Sequence, residues 1–230
     1  MILKIMNTKE CMNVRSLYIT GTSNVKQLTL NTVAVISMQN EDTETFVFDF
    51  KGEFEEYKSY DKSRGVLFKS VKYCDINQVL DDIRNFINQR LTTLASERLL
   101  SVSAYNERHK DALVNKVFVL YCPALSRLNV KTLEKCVIDS IKVGLNIVLV
   151  TDKEIEVNHT NLINSFSTIL CGCELPTGES IRLLGATPTE GKYYLKNKLF
   201  SNEMFELDEV RYEDVSRLVT DGWLRICREE

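Results

Sequence analysis

The stretch Ser16-Leu17-Tyr18-Ile19-Thr20-Gly21-Thr22-Ser23-Asn24-Val25-Lys26-Gln27-Leu28 decides how the rest of the chain is read. A short apolar run, Leu17-Tyr18-Ile19, leads into Gly21. Leu28, Leu30, Val33, Ala34 and Ile36 follow in a segment of helical character. Strand, glycine turn, helix is the layout of a phosphate-binding loop, G-x-x-x-x-G-K-[ST]. In such a loop glycines let backbone N–H groups close around phosphates, the lysine reaches the outer oxygens, and the hydroxyl holds Mg²⁺. Here the first glycine and the spacing are present. Lys26 stands at the second glycine, Gln27 at the lysine and Leu28 at the hydroxyl. Taken alone, the residues from Gly21 to Leu28 read either as a degenerate nucleotide-binding loop or as an ordinary turn, and the rest of the chain decides between them.

The whole chain sets the bounds. Its 230 residues suit one large domain, and 44% apolar with 27% charged residues is ordinary for a soluble protein. The net charge of −3 lacks the basic excess of a general nucleic-acid binder. Seven cysteines, an odd number lying mostly in apolar runs, read as reduced thiols rather than a disulfide framework. No apolar run approaches the roughly 18 residues of a membrane span. Met1-Ile2-Leu3-Lys4-Ile5-Met6 reads as too short for a signal peptide. With three prolines, none before Pro123, no linker is visible and one domain over 1–230 is expected.

Beyond the loop, Thr45-Phe46-Val47-Phe48-Asp49-Phe50 predicts a strand, and Val66-Leu67-Phe68 a short one. From Asp75 to Leu100, apolar residues at Ile76, Val79, Leu80, Ile83, Phe86, Ile87, Leu91 and Leu94 recur at helical steps. Asp75 is placed as N-cap and Gln78 as its capping-box partner. Val117-Phe118-Val119-Leu120-Tyr121 and Leu145–Val150 predict continuous apolar strands, with a helix over 131–143 between them and Gly144 closing it. A short helix over 158–166 and a strand over 168–171 follow. After Pro176 come shorter pieces: 180–184, then 192–195, then a last helix over 213–220 ahead of Trp223. Continuous apolar strands alternating with amphipathic helices indicate an α/β fold, a mostly parallel sheet with helices on both faces.

The order of pieces then carries a resemblance. A glycine loop precedes Asp49-Phe50-Lys51-Gly52. A long helix leads to Tyr105-Asn106-Glu107 and an apolar strand. A helix then runs through Val143-Gly144-Leu145-Asn146 into Ile147-Val148-Leu149-Val150. This resembles the ATPase domains of the FtsK/SpoIIIE class, and within it the tandem ATPase domains of EssC-type coupling proteins of type VII secretion. The likeness covers roughly residues 16–200 and implies a RecA-like P-loop NTPase fold. The core is expected over about 14–200 with an extension over 201–230.

The departures from that pattern set the functional expectation. A working domain ends the strand at Tyr121 with consecutive acids that hold Mg²⁺ and position the attacking water. Here the strand runs into Tyr121-Cys122-Pro123. With the lysine, the hydroxyl and the acid all replaced, the electrostatic stabilisation of phosphoryl transfer is missing. The resemblance then implies a pseudo-ATPase, with ATP and Mg²⁺ binding weak or absent. In EssC-type proteins the most C-terminal ATPase module is often degenerate. Such a module would contact preceding ATPase modules of the same chain and secreted substrates or their chaperones. It would be a cytoplasmic domain of a bacterial membrane protein, touching the membrane only through the parent chain, with no nucleic acid. Asp49 and Lys51 are candidate inter-module contacts, against a plain reading as a strand-end turn. Two alternatives are an active motor module of an FtsK-like DNA translocase and an unrelated doubly wound enzyme.

Other candidates carry less. Lys26 at a helix start reads as a solvated lysine rather than as a phosphate ligand. Cys171-Gly172-Cys173 with His159 lacks the spacing and the four ligands of a zinc site. His109 reads as a surface residue. The basic and aromatic run from Lys192 to Phe200 reads as a hairpin turning at Lys196-Asn197-Lys198. The acidic segment from Glu203 to Asp214 reads as a solvated face.

Overall fold

Strands that are apolar on both sides must be covered on both sides, and this requirement shapes the sheet. The computed structural model describes residues 16–39, 43–55, 66–110, 112–123, 125–152, 160–174, 177–186, 192–197 and 203–206. Eight strands form one sheet: β1 Ser16–Thr20, β2 Thr43–Asp49, β3 Val66–Ser70, β4 Asn115–Tyr121, β5 Leu145–Val150, β6 Thr168–Cys171, β7 Lys192–Asn197 and β8 Glu203–Glu206. Their order is β3-β2-β4-β5-β1-β6-β7-β8. From β3 through β6 every pairing is parallel; β7 runs antiparallel to both β6 and β8. The helices are α1 Val25–Gln39, α2 Ile76–Ser96, α3 Val102–Asn106, α4 Val130–Ser140, α5 Thr160–Ser165 and α6 Thr177–Leu184. The mostly parallel sheet covered on both faces is the expected fold.

Alternation along β4 divides the core. Phe118 and Leu120 join Ile83, Ile87, Leu133, Leu149 and Phe166 on the face covered by α2, α4 and α5. Val117, Val119 and Tyr121 join Ile19, Leu28, Val33, Val150 and Phe54 on the α1 face. Each such side chain, once fully buried, contributes about 1.5–3 kcal/mol.

The N-terminal ends of β4 and β5 are held by polar clamps. Arg90, buried on α2, donates to the carbonyls of Val143 (2.9 Å) and Val114, and burial lowers its pKa. The Asn106 amide brackets Leu113, accepting from its N–H at 2.7 Å and donating to its carbonyl at 3.2 Å. Tyr105 stacks on His109 with ring centroids 4.1 Å apart, and His109 Nε2 lies 3.7 Å from Glu97. Tyr105-Asn106-Glu107 thus pins the lead-in to β4, at the edge of the sheet opposite Gly21.

Several expectations are corrected. Asp75 occupies the N-cap position, but its side chain accepts no capping bond from the helix. It accepts instead from Cys74 Sγ, and Gln78 donates to Asp82 at 2.9 Å rather than forming a capping box. The helix over 131–143 ends as a 3-10 turn, Ile141–Val143, before Gly144 at φ 66°. Lys196 and Asn197 do not turn; they continue β7, and Lys196 Nζ donates to the Leu183 carbonyl at 2.9 Å. The acidic segment after residue 200 begins as β8, which pairs with β7. The sheet therefore extends past the expected core boundary. Cys11, His159, the helix over 213–220, Trp223 and Cys227 lie outside the described residues. Among the described residues no helix is long and apolar enough to cross a membrane.

Candidate functional site

In a parallel sheet the C-terminal strand ends share one rim, where ligands of such folds bind. Here the backbone ladder continues past the strands themselves. The first N–H beyond β3, β2, β4, β5 and β6 reaches a neighbour's carbonyl: Val71 to Asp49, Phe50 to Tyr121, Cys122 to Val150, Thr151 to Ile19 and Gly172 to Thr20. Beside this ladder, Thr151 Oγ1 lies 3.0 Å from the Tyr18 hydroxyl and 3.1 Å from Thr20 Oγ1, all buried.

The glycine loop stands at the end of β1. Only four residues, Gly21 to Asn24, separate β1 from α1, because the helix begins at Val25. Gly21 takes φ 73°, which a glycine tolerates without strain. Leu28 N–H bonds the Asn24 carbonyl at 3.0 Å, closing the first helical turn. The expected strand–loop–helix is thus present, with the helix starting inside the phosphate-loop pattern at its fifth position. Gln27 is half-buried. Leu28 is 4% exposed and belongs to the apolar cluster of Ile19, Phe54, Tyr121 and Cys122. Lys26 Nζ lies 5.8 Å over the Phe54 ring, within cation–π range.

Two of the loop's hydroxyls and the Gly21 carbonyl are engaged from within the chain. Thr22 Oγ1 accepts from Asn24 N–H at 3.1 Å and meets the Tyr193 hydroxyl at 3.2 Å. Ser23 donates to the Glu174 carboxylate at 2.8 Å, and Glu174 N–H bonds the Gly21 carbonyl at 3.0 Å. A Cβ at Gly172 would lie 2.4 Å from the Gly21 oxygen, so only glycine permits this approach. Gly172, Glu174 and Tyr193 were not singled out as site residues from sequence. The chain after β6, marked there only by Cys171-Gly172-Cys173, was the available signal.

At the end of β4, Tyr121 is fully buried and its hydroxyl donates to Glu53. Burial first, and then this bond, raises the phenol's pKa above its usual range. Phe54 packs edge-on against Tyr121 with centroids 4.6 Å apart. Cys122 follows at φ 47°, a region non-glycine residues rarely adopt, and burial pushes its thiol up to about 12. The strand-end position thus holds a phenol and a neutral thiol where an acid would coordinate Mg²⁺.

Asp49 and Lys51 part company. Asp49, expected at an inter-module contact, is 1% exposed and turned inward. Its carboxylate accepts from the N–H groups of Lys51 (3.0 Å), Gly52 (2.8 Å) and Phe54 (2.9 Å), making it the keystone of its own turn. Lys51 stays on the rim, its ammonium 3.0 Å from Asp152 and 3.7 Å from Glu53. Glu53 and Asp152 also went unnoticed in sequence, although each directly follows a strand-end stretch. Among the described residues no group of three or more His, Cys, Asp or Glu could hold a metal ion.

No profile of a known protein family matches the chain, and no curated protein does. Solved structures do. The pCW3 conjugation coupling protein TcpA, in its monomer form with ATPγS, is similar at 14% identity and a TM-score of 0.68 over 92% of this chain. The cytoplasmic domain of the type VII secretion ATPase EccC from Thermomonospora curvata is similar at 16% identity and a TM-score of 0.74 over 93%. ATPases 2 and 3 of the same EccC, in complex with a signal sequence peptide, are similar at 14% identity and a TM-score of 0.63 over 91%. The chain spans 65%, 28% and 42% of those three chains. At such identities the likeness is one of fold: that of the ATPase domains of secretion and conjugation coupling proteins.

Proposed function

We propose that the chain is a non-catalytic, ATPase-like module of a type VII secretion coupling protein. It recognises secretion substrates or their chaperones and regulates neighbouring ATPase modules. One observation carries the non-catalytic part: Leu28, at the motif's hydroxyl position, is packed with Phe54 and Tyr121 at the strand end where an acid belongs. Phosphoryl transfer depends on positioned cations and Mg²⁺ around the transferred group. Apolar side chains in that volume offer neither. The Glu174 carboxylate at the loop further opposes an anion there.

Support for the secretion setting comes from the fold shared with EccC, and for substrate recognition from the EccC ATPases crystallised with a signal sequence peptide. Carrying function across a fold is analogy, so binding has to be measured. Calorimetry against the secreted effectors of the same locus, together with Mg-ATP, tests both parts. Micromolar effector binding without an ATP signal is the expected outcome. A folded sample that binds no effector overturns the recognition role, and Mg-ATP binding with turnover overturns the non-catalytic one.

A second reading, a nucleotide-binding motor module of an FtsK-like DNA translocase, is favoured by the likeness to TcpA with ATPγS. It requires DNA-stimulated ATP hydrolysis, and a flat assay with and without DNA removes it.

A further inference from the structure

The rim contains one cation placed between two carboxylates that come from different strand ends. Lys51 follows β2, Glu53 lies two residues further on, and Asp152 follows β5. Strand β4, ending at Tyr121, stands between β2 and β5 in the sheet. The Lys51 ammonium lies 3.0 Å from Asp152 Oδ2 and 3.7 Å from Glu53 Oε1. The other oxygen of Glu53 accepts from the buried Tyr121 hydroxyl. The bridge thus passes over the end of β4 and is fastened to it.

We propose that Lys51 is a built-in counter-cation that ties the ends of β2, β4 and β5 together, so that this rim keeps one conformation without nucleotide or metal. The inference stands apart from the non-catalytic reading: it concerns what holds the rim, not what the rim binds.

An isolated exposed ion pair contributes little, because ordering two long side chains offsets its attraction. This one is preorganised on three sides. Asp49 takes three N–H groups of the turn and fixes the backbone from which Lys51 and Glu53 project. Tyr121 fixes Glu53. The N–H beyond β5, on Thr151, is bonded to Ile19 at 2.9 Å. The lysine stem and the half-exposed Asp152 side chain remain to be ordered. Burial works against its charge, but the Asp152 hydrogen bond and the charges of Cys122 (once ionised), Asp152 and Glu53 outweigh it, and the lysine pKa is raised. The remaining titratable group facing it, Cys122, is held neutral by burial.

Amide hydrogen exchange on the intact chain at neutral pH, with no nucleotide present, tests the lock. Lys51→Met and Asp152→Asn should each speed exchange at Lys51, Gly52, Phe54 and Asp152 by roughly fivefold. The double variant should exchange no faster than Lys51→Met, because that substitution already removes the Asp152 contact. Lys51→Arg should restore most of the protection, and high salt should bring the wild type towards Lys51→Met. Core amides of β4 and β5 should be unchanged, which shows that the variants fold. Exchange at the rim unchanged in Lys51→Met, or fully additive effects in the double variant, overturns the proposal. Neither result depends on whether Mg-ATP binds.

Discussion

Thr22 and Tyr193 meet hydroxyl to hydroxyl at 3.2 Å across 171 positions of sequence. The contact sets the candidate phosphate loop against β7, near the far edge of the sheet. Gly172 lies against the same loop, so the turn after β1 is packed on two sides by later chain.

Substitutions at these contacts should rank by what they displace. Tyr193→Phe removes one buried hydrogen bond, about 1 kcal/mol, and should lower the melting temperature by about 2–4 °C. Gly172→Ala forces a methyl into the Gly21 carbonyl and should cost about 2–3 kcal/mol. Urea unfolding of both variants checks the order; equal losses would contradict it.

Restoring the motif's letters should not restore its chemistry. Gln27→Lys with Leu28→Thr gives the loop a lysine and a hydroxyl. Yet the helix still begins at Val25, and residue 28 still faces the cluster of Phe54 and Tyr121. The double variant should lose about 2–3 kcal/mol from the cavity and the buried hydroxyl. Differential scanning fluorimetry should show no Mg-ATP shift in it or in the wild type. A nucleotide-dependent rise of several degrees in the double variant would mean that the backbone was competent all along.

Asp49→Ala should be the most damaging change on the rim. It leaves three N–H groups of the turn without their buried acceptor, a loss of about 2–4 kcal/mol. Asp49→Asn keeps one acceptor oxygen and should fall between Ala and wild type. Chemical denaturation of the three proteins decides the ranking.

The buried thiols give a pH signature. Cys122 is raised to about 12 and Cys136 to about 11, each by burial first. An unfolded thiol titrates near about 8.5. A folded pKa above the unfolded one gives stability that is complete below the lower value and lost as pH rises towards the higher. Unfolding free energy should therefore decline from about pH 9 upward. Mass-mapped alkylation at about pH 8 should label exposed Cys74 first and leave Cys122 and Cys136 unlabelled until denaturant is added.

Much of this molecule can be read without coordinates, for identifiable reasons. Val117–Tyr121 is apolar without a break and Leu145–Val150 is broken only by Asn146, a pattern that a doubly covered strand requires. The face from Ile76 to Leu94 keeps helical period for five turns. The β7–β8 edge was harder: Leu195-Lys196-Asn197-Lys198-Leu199 has the letters of a tight turn, yet pairing with β6 keeps Lys196 and Asn197 extended. The loop's departures from the phosphate-loop letters were visible in Gln27 and Leu28, but its early helix start was not, because helix boundaries depend on local packing. Glu53, Asp152, Glu174 and Tyr193 are ordinary in sequence. They gain meaning only when the fold brings the ends of β2, β5 and β6 and the start of antiparallel β7 to one rim.

Strand β1 has its two neighbours far downstream, at Ile147–Val150 and Thr168–Cys171. During synthesis it precedes both partners and has no strand of this sheet to pair with until β5 leaves the ribosome. At about 5–20 residues per second that wait is roughly 7–30 s. Leu17, Tyr18 and Ile19, 5%, 0% and 0% exposed in the finished sheet, spend it uncovered. The segment carrying the candidate phosphate loop is thus made well before it can be seated, because β5 must follow first. A nascent chain of this protein should present β1 as a holding site for chaperones, and a truncation ending before β5 should aggregate through it.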